Sequence, residues 1–401
     1  MSDDREFIPL AKPLFDEREA AAASRAILSG WVTQGPEVAA FEREFATSVA
    51  ASYACAVSNC TSALHLALIA LGVRPGDEVI TVSHSYIATA NSIRYCEAMP
   101  VFVDIEPSTF NLNPNLLEPA ITDRTRAILC VHQMGMPTDL SAILRIARRH
   151  SIPVIEDAAC AIGSEILWDG EWAKIGKPHA DIACFSFHPR KVITTGDGGM
   201  LTTANPEFDR KFRLLRQHSM SVPDTTRHAS DRVTFEEYLE LGYNYRMTDI
   251  QAAVGREQLK RLPEIIARRR ELAARYNKLL AYIRDVTVPY EPAFARSNWQ
   301  SYAIRIPNGC NQMVVMQFML DRGIATRRGV MCAHREPAYR GDQYRASGRL
   351  IESEAAQDHA IILPLFHQMT SLQQDRVVET LTEAVCLDTS SYLARHRRVA
   401  H

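Results

Sequence analysis

Residues 180–199 read ADIACFSFHPRKVITTGDGG. The opening stretch, Ala180 to His188, is apolar and rich in Ile, Phe and Ala, the composition of a buried strand. Pro189-Arg190-Lys191 follows, and then a turn rich in Thr and Gly from Val192 to Gly199. A lysine set just past a buried strand and ahead of a glycine loop is partly desolvated. That lowers the pKa of its amine and makes it nucleophilic toward an aldehyde. The same residues also read more plainly, as a surface lysine and a hairpin turn shaped by Asp197 and the glycines.

Upstream, the pattern repeats. EVITVSH from Glu78, PVFVDI from Pro100, AILCVH from Ala127 and PVIEDA from Pro153 are further strand candidates. Helical stretches lie between them: SALHLALIALG from Ser62, and Leu140–His150 with Asp139 as its N-cap. Near-continuous apolar strands separated by helices predict an α/β domain with a large, mostly parallel sheet covered by helices on both faces. After Met247 the character changes. Asp249–Ile283 reads as a long helical region interrupted by Pro263, followed by short strands such as Tyr302–Ile306 and helices near Val314–Arg322 and Leu372–Val385. The division expected is a large domain over 1–255, including an N-terminal arm, and a small C-terminal α+β domain over 256–401.

Composition narrows the function classes. With 46% hydrophobic and 23% charged residues and a net charge of −2, the chain has the material for a globular core and no bulk attraction for nucleic acid or an anionic membrane. The start, MSDDREFIPLAKPLF, is acidic and carries no apolar stretch of a secretory signal, and no apolar run is long enough to cross a bilayer. Nine cysteines occur singly, without CxxC or metal-finger spacing, which predicts reduced thiols, no metal and a cytoplasmic location.

In open α/β sheets, ligands gather where strands end. Asn59-Cys60-Thr61-Ser62 precedes a helix, and a helix N-terminus with hydroxyl residues suits a phosphate, or is simply capped by one of them. Val154-Ile155-Glu156-Asp157 ends an apolar strand in two acids. There Asp157 can hold a protonated ring nitrogen, or cap the segment that follows. Taken with Lys191, these supply an anion cradle, a ring-nitrogen acid and an aldehyde-binding amine, the groups that pyridoxal 5′-phosphate requires of a protein.

The chain resembles the sugar aminotransferases of the DegT/DnrJ/EryC1/StrS family, within the aspartate aminotransferase-like (fold type I) enzymes that use pyridoxal phosphate. The resemblance extends from Ser29-Gly30-Trp31-Val32-Thr33-Gln34-Gly35-Pro36 to Leu363-Pro364. It is carried by CTSALHLAL, GDEVI, PVFVDI, IEDAA, FSFHPRK, TTGDGGM and LGYNYRM. It implies that Lys191 bonds the cofactor's aldehyde and then moves the proton during amino transfer, and that Asp157 pairs with the ring nitrogen. It further implies that Tyr86 stacks on the ring, and that Thr61, the Cys60 backbone and Ser186 hold the phosphate. Asn244 would reach the phosphate of a neighbouring subunit, so that a homodimer shares its active sites.

Two positions depart from the family pattern. Cys160 stands where Gln or His often bonds the phenolic oxygen of the cofactor, and Cys60 stands where Gly is usual. Relatives with His in place of the lysine are dehydratases, and Lys191 argues against that chemistry. The TTGDGGM and GYNYRMT wording is similar to enzymes that aminate C4 of a 4-keto-6-deoxy nucleotide sugar, such as perosamine synthases. Glutamate is the amino donor that the resemblance implies. Trp31 to Gln34 (Thr33 among them), His218, Trp299, Tyr302, Arg327, Arg328, His334 and Tyr339 fall in stretches that line the substrate cleft of relatives. The arginines could pair with a pyrophosphate or with the donor's carboxylate. The other readings are core packing for the aromatics and surface ion pairs for the arginines. Two further functions stay open: amination of a 3-keto nucleotide sugar, free keto-sugar or cyclitol, and a non-catalytic regulatory role on the same scaffold.

Overall fold

The structure, a computed structural model, describes residues 6–222, 231–233 and 235–397; the acidic start, residues 1–5, lies outside them. Fourteen strands form three sheets among these residues. They are β1 (Tyr53–Val57), β2 (Glu78–Val82), β3 (Met99–Val103), β4 (Thr125–Val131), β5 (Val154–Asp157), β6 (Glu165–Trp168), β7 (Glu171–Lys174), β8 (Ile182–Ser186), β9 (Gly199–Thr203), β10 (Ala295–Arg296), β11 (Tyr302–Arg305), β12 (Arg327–Arg328), β13 (Arg345–Ala346) and β14 (Ala360–Leu363). The main sheet has eight strands in the order β1-β9-β8-β5-β4-β2-β3-β13. Its pairings are parallel from β8 through β5, β4, β2 and β3 to β13, and antiparallel only where β9 joins β8 and β1. Strands such as β2, buried at every position, are apolar on both faces because helices cover both.

The helices are α1 (Glu17–Leu28), α2 (Pro36–Val49), α3 (Cys60–Ala70), α4 (Ala88–Tyr95), α5 (Leu140–Arg149), α6 (Pro206–Leu215), α7 (Asp249–Leu280), α8 (Gln312–Asp321), α9 (Ile351–His359) and α10 (Ser371–Arg397). Asp139 caps α5 by accepting from the Ala142 amide at 2.9 Å. The expected break at Pro263 is absent: α7 runs unbroken through it. Pro263 is exposed, so its ring projects toward solvent rather than into the packed side of the helix.

Two large hydrophobic cores follow from this arrangement. One surrounds the main sheet; the other lies under the small sheet β11-β14-β12. Helix α7 crosses residues 255–256 without interruption and feeds both, with Leu259, Leu262, Ile265 and Ile266 in the first and Leu272, Tyr276 and Leu280 in the second. Ile8 from the N-terminal segment belongs to the second core, and β13 from the C-terminal part extends the main sheet. No helix among the described residues is long and apolar enough to cross a membrane.

Register brings the strand tips together. Asp157 at the end of β5 pairs with Cys184 of β8; Ser186 at the end of β8 and Val57 at the end of β1 both pair with Gly199 of β9. A Cβ at Gly199 would lie 2.5 Å from the Asn59 carbonyl carbon and 2.8 Å from the Cys60 nitrogen, so a glycine there lets α3 begin hard against the sheet.

Candidate active site

A cavity of about 650 Å³ opens at these tips. Cys60, Thr61, Tyr86, Asp157, Cys160, Ser186 and Lys191 all line it. Asn244 does not: it is exposed, bridged to Gln217 outside the cavity of its own chain.

The anion cradle is built by the start of α3. Its first amides have no intrahelical acceptor, and the Asn59 side chain takes up the amide of Ser62 at 2.8 Å, leaving the N–H groups of Cys60 and Thr61 for another partner. Burial pushes the Cys60 thiol well above its ordinary pKa, so this residue serves through its backbone rather than as a nucleophile.

Asp157 is 5% exposed. Its Oδ2 accepts from the Thr89 hydroxyl at 2.8 Å and its Oδ1 from the Ala159 amide at 3.2 Å. Burial raises its pKa, and these two donors and the Lys191 charge oppose the rise without cancelling it. One strand position back, Glu156 faces the other way and bonds His132 Nε2 at 2.8 Å. The alternation of a strand thus separates the two acids of IEDAA, and only Asp157 turns to the cavity.

Lys191 is half-buried, and its Nζ donates to Cys160 Sγ at 3.1 Å. The expectation of a lowered pKa is corrected here. Burial does oppose the cation, but the sulfur of Cys160, followed by Cys60 and Asp157, outweighs it and leaves the amine above its ordinary value. Gln300 fixes the lysine's backbone: its Oε1 accepts from the Val192 amide at 2.9 Å and its Nε2 donates to the Arg190 carbonyl at 2.6 Å.

Of the residues expected at the substrate cleft, Arg327 and Arg328 line the cavity and are exposed. Arg328 stands 3.7 Å from Glu336. The rest lie elsewhere. Trp299 and Tyr302 pack against each other in the second core, where a flat apolar ring has more surface to bury than at a wet cleft. Tyr339 is buried against Phe102, its hydroxyl on Asn91. His334 is held between Ser83 and Glu354, off the cavity. Trp31 turns its indole N–H onto the Gln34 carbonyl, Thr33 accepts at its carbonyl from the Asp249 amide, and His218 is exposed on a turn with φ +62°. The cavity wall instead includes Ser85, Thr89, Gln133, His188, Arg190, Tyr245 and Gln300. Thr89 had a readable signal, since it follows Tyr86 by one helical turn; Gln300 is distant in sequence and had none.

The residues present fit pyridoxal phosphate. One cavity offers helix amides for a phosphate; for an aldehyde, an amine whose hydrogen-bond partner among the described residues is a sulfur; and for a ring N–H, a carboxylate that keeps acceptor capacity beyond its bonds to Thr89 and Ala159.

The signature of the DegT/DnrJ/EryC1/StrS aminotransferase family matches residues 13–382. A Bacillus subtilis relative, the spore coat polysaccharide biosynthesis protein SpsC, is 36% identical over 94% of this chain and 97% of its own. Among solved structures, the aminotransferase TlmJ of Streptoalloteichus hindustanus is 31% identical with a TM-score of 0.86, over 95% of this chain and all of its own. A Streptococcus pneumoniae protein, solved in PLP-, PMP- and apo-forms, is 26% identical with a TM-score of 0.89 for the PMP-form, over 95% of this chain and 100% of that one.

Proposed function

Because the chain belongs to the DegT/DnrJ/EryC1/StrS aminotransferase family and is a pyridoxal-phosphate-dependent transaminase, we propose that it moves an amino group from glutamate to a keto-sugar, at C4 of a 4-keto-6-deoxy nucleotide sugar. The observation that carries this reading is the single cavity that gathers Lys191, Asp157 and the start of α3 and leaves Arg190, Arg327 and Arg328 along the same wall.

When bound, pyridoxal phosphate supplies an electron sink for the bond that must break at the amine-bearing carbon. The chain's residues do the rest. The amides of Cys60 and Thr61 and the hydroxyls of Thr61 and Ser186 would hold the phosphate. Asp157 would keep the ring nitrogen protonated, and Tyr86, 60% exposed and so uncommitted to the core, would be free to cover the ring. Lys191 takes the proton from the donor's Cα and, in the second half of the cycle, returns one to the sugar carbon that receives nitrogen. The exposed guanidinium groups of Arg327 and Arg328 suit a pyrophosphate, whose oxygens they can engage two at a time. A polysaccharide role for SpsC supports a sugar substrate.

The active protein is a homodimer in the cytoplasm, with Asn244 serving its neighbour's site. Exposed apolar side chains at Ile27, Leu28, Val32, Tyr238, Leu239 and Leu241 support the homodimer. The two groups are tied together by Gln34 to Gln217 at 3.4 Å and by the bridges Gln217–Asn244 and Met220–Tyr238.

Assays of amino transfer from glutamate to 4-keto and 3-keto nucleotide sugars test the reading. Turnover of the 4-keto substrate is expected. Turnover of free ketones alone would contradict it.

A further inference from the structure

Resting on the function proposed above, we infer that Thr89, backed by Ser85, is a positioning residue that keeps the carboxylate of Asp157 charged and aimed at the cofactor's ring nitrogen. Asp157 is almost wholly removed from water, and burial by itself favours its neutral form. Its shortest hydrogen bond, 2.8 Å, comes from the Thr89 hydroxyl; the Ala159 amide, at 3.2 Å, is longer. Thr89 is therefore the main neutral donor that holds the negative charge in place.

The direction of the relay follows from proton counting. A carboxylate has no proton to give, so the Thr89 hydroxyl spends its single proton on Asp157. Ser85 Oγ lies 2.7 Å from Thr89 Oγ1 and must then be the donor of that contact. Ser85 and Thr89 are 3% and 1% exposed, so little of either side chain meets water in the cavity wall. The turn that presents Tyr86 also fixes Thr89, whose amide donates to the Tyr86 carbonyl at 3.0 Å. One turn at the head of α4 thus supplies both the ring-stacking residue and the support of the ring-nitrogen acid.

Without the Thr89 hydroxyl, Asp157 keeps only the longer bond, and a neutral acid cannot pair with a cationic ring. The loss should fall on ligands that carry the ring nitrogen and spare those that do not. The test is a fluorescence titration of the purified full-length apoprotein with pyridoxal phosphate and with its 1-deaza analogue, in which C–H replaces the ring nitrogen. Thr89→Val is expected to weaken pyridoxal phosphate roughly tenfold while the deaza analogue stays within about twofold of wild type. Thr89→Ser, which keeps the hydroxyl, should bind both as wild type does. Ser85→Ala should show the same pattern, smaller, and decides the matter if Thr89→Val does not fold. Equal weakening of both ligands, or no weakening of either, would overturn the inference. A wild-type protein that binds no pyridoxal phosphate would instead overturn the function on which it rests.

Discussion

Replacing Gln300 by Ala probes how the lysine is held. One carboxamide, 8% exposed, spans the two peptide groups that flank Lys191, accepting from Val192 N at 2.9 Å and donating to Arg190 O at 2.6 Å. Its own backbone is anchored separately: the buried Arg269 guanidinium donates to the carbonyls of Trp299 at 2.8 Å and Gln300 at 2.7 Å. The substitution therefore removes the clamp and leaves the loop that carries it. The two ends differ in cost. Arg190 is exposed, and water can take over at its carbonyl. Val192 is 6% exposed, and its amide is stranded. A lost hydrogen bond is worth about 1 kcal/mol and an unsatisfied buried amide another 1–3 kcal/mol, so the expected destabilisation is about 2–4 kcal/mol. Urea unfolding of variant and wild type at equal protein and cofactor concentrations measures it, and kcat should fall more than KM changes because the slackened group is the proton-moving amine. A destabilisation below about 0.5 kcal/mol, within the range of an ordinary surface change, would show that the Gln300 carboxamide does not clamp the lysine's backbone.

Further outcomes follow from the same geometry. Asp157→Asn keeps the shape but cannot hold a ring cation, and should slow the half-reaction with glutamate on the order of a hundredfold in stopped-flow measurements. Cys160→Ala removes the sulfur that raises the Lys191 pKa, so uptake of pyridoxal phosphate by the apoprotein at pH 8 should speed up; a slower rate would contradict the assigned balance. Burial holds His65 down to about 4 and His84 to about 3, below the ordinary 6.5, so the unfolded chain binds these protons more tightly. Stability is then full above pH 6.5 and is lost as pH falls from there toward 4 and 3, by about 2 kcal/mol per histidine at pH 5. His65→Gln should remove its own share of that slope in urea titrations at pH 7 and 5. Mixing inactive Lys191→Ala and Asn244→Ala proteins should restore activity if subunits share sites, and should restore none if each site is complete within one chain.

How much of this the sequence disclosed depends on how local each signal is. Asp157, Ser186 and Lys191 sit at or just beyond strand ends, and Thr61 at a helix start, so a few neighbouring residues reveal their placement; all of them line one cavity. The aromatics were harder. Trp299, Tyr302 and Tyr339 have the residue types of a sugar site, yet ring chemistry is the same in a cleft and in a core, and only the packing of distant elements puts them in the latter. Gln300 escaped for the converse reason. It reaches Lys191 across 108 residues between its own position and Val192, a closure that no periodicity records. Pro263 read as a helix stop because local rules penalise it, whereas the cores on either side of α7 hold the helix through it.

The most direct measurement is borohydride reduction of the protein mixed with pyridoxal phosphate, followed by digestion and peptide mass spectrometry. A single stable label is expected, on Lys191, absent from the Lys191→Ala variant. An unlabelled Lys191, or a label carried by another lysine, would contradict the assignment of Lys191 as the aldehyde-binding amine.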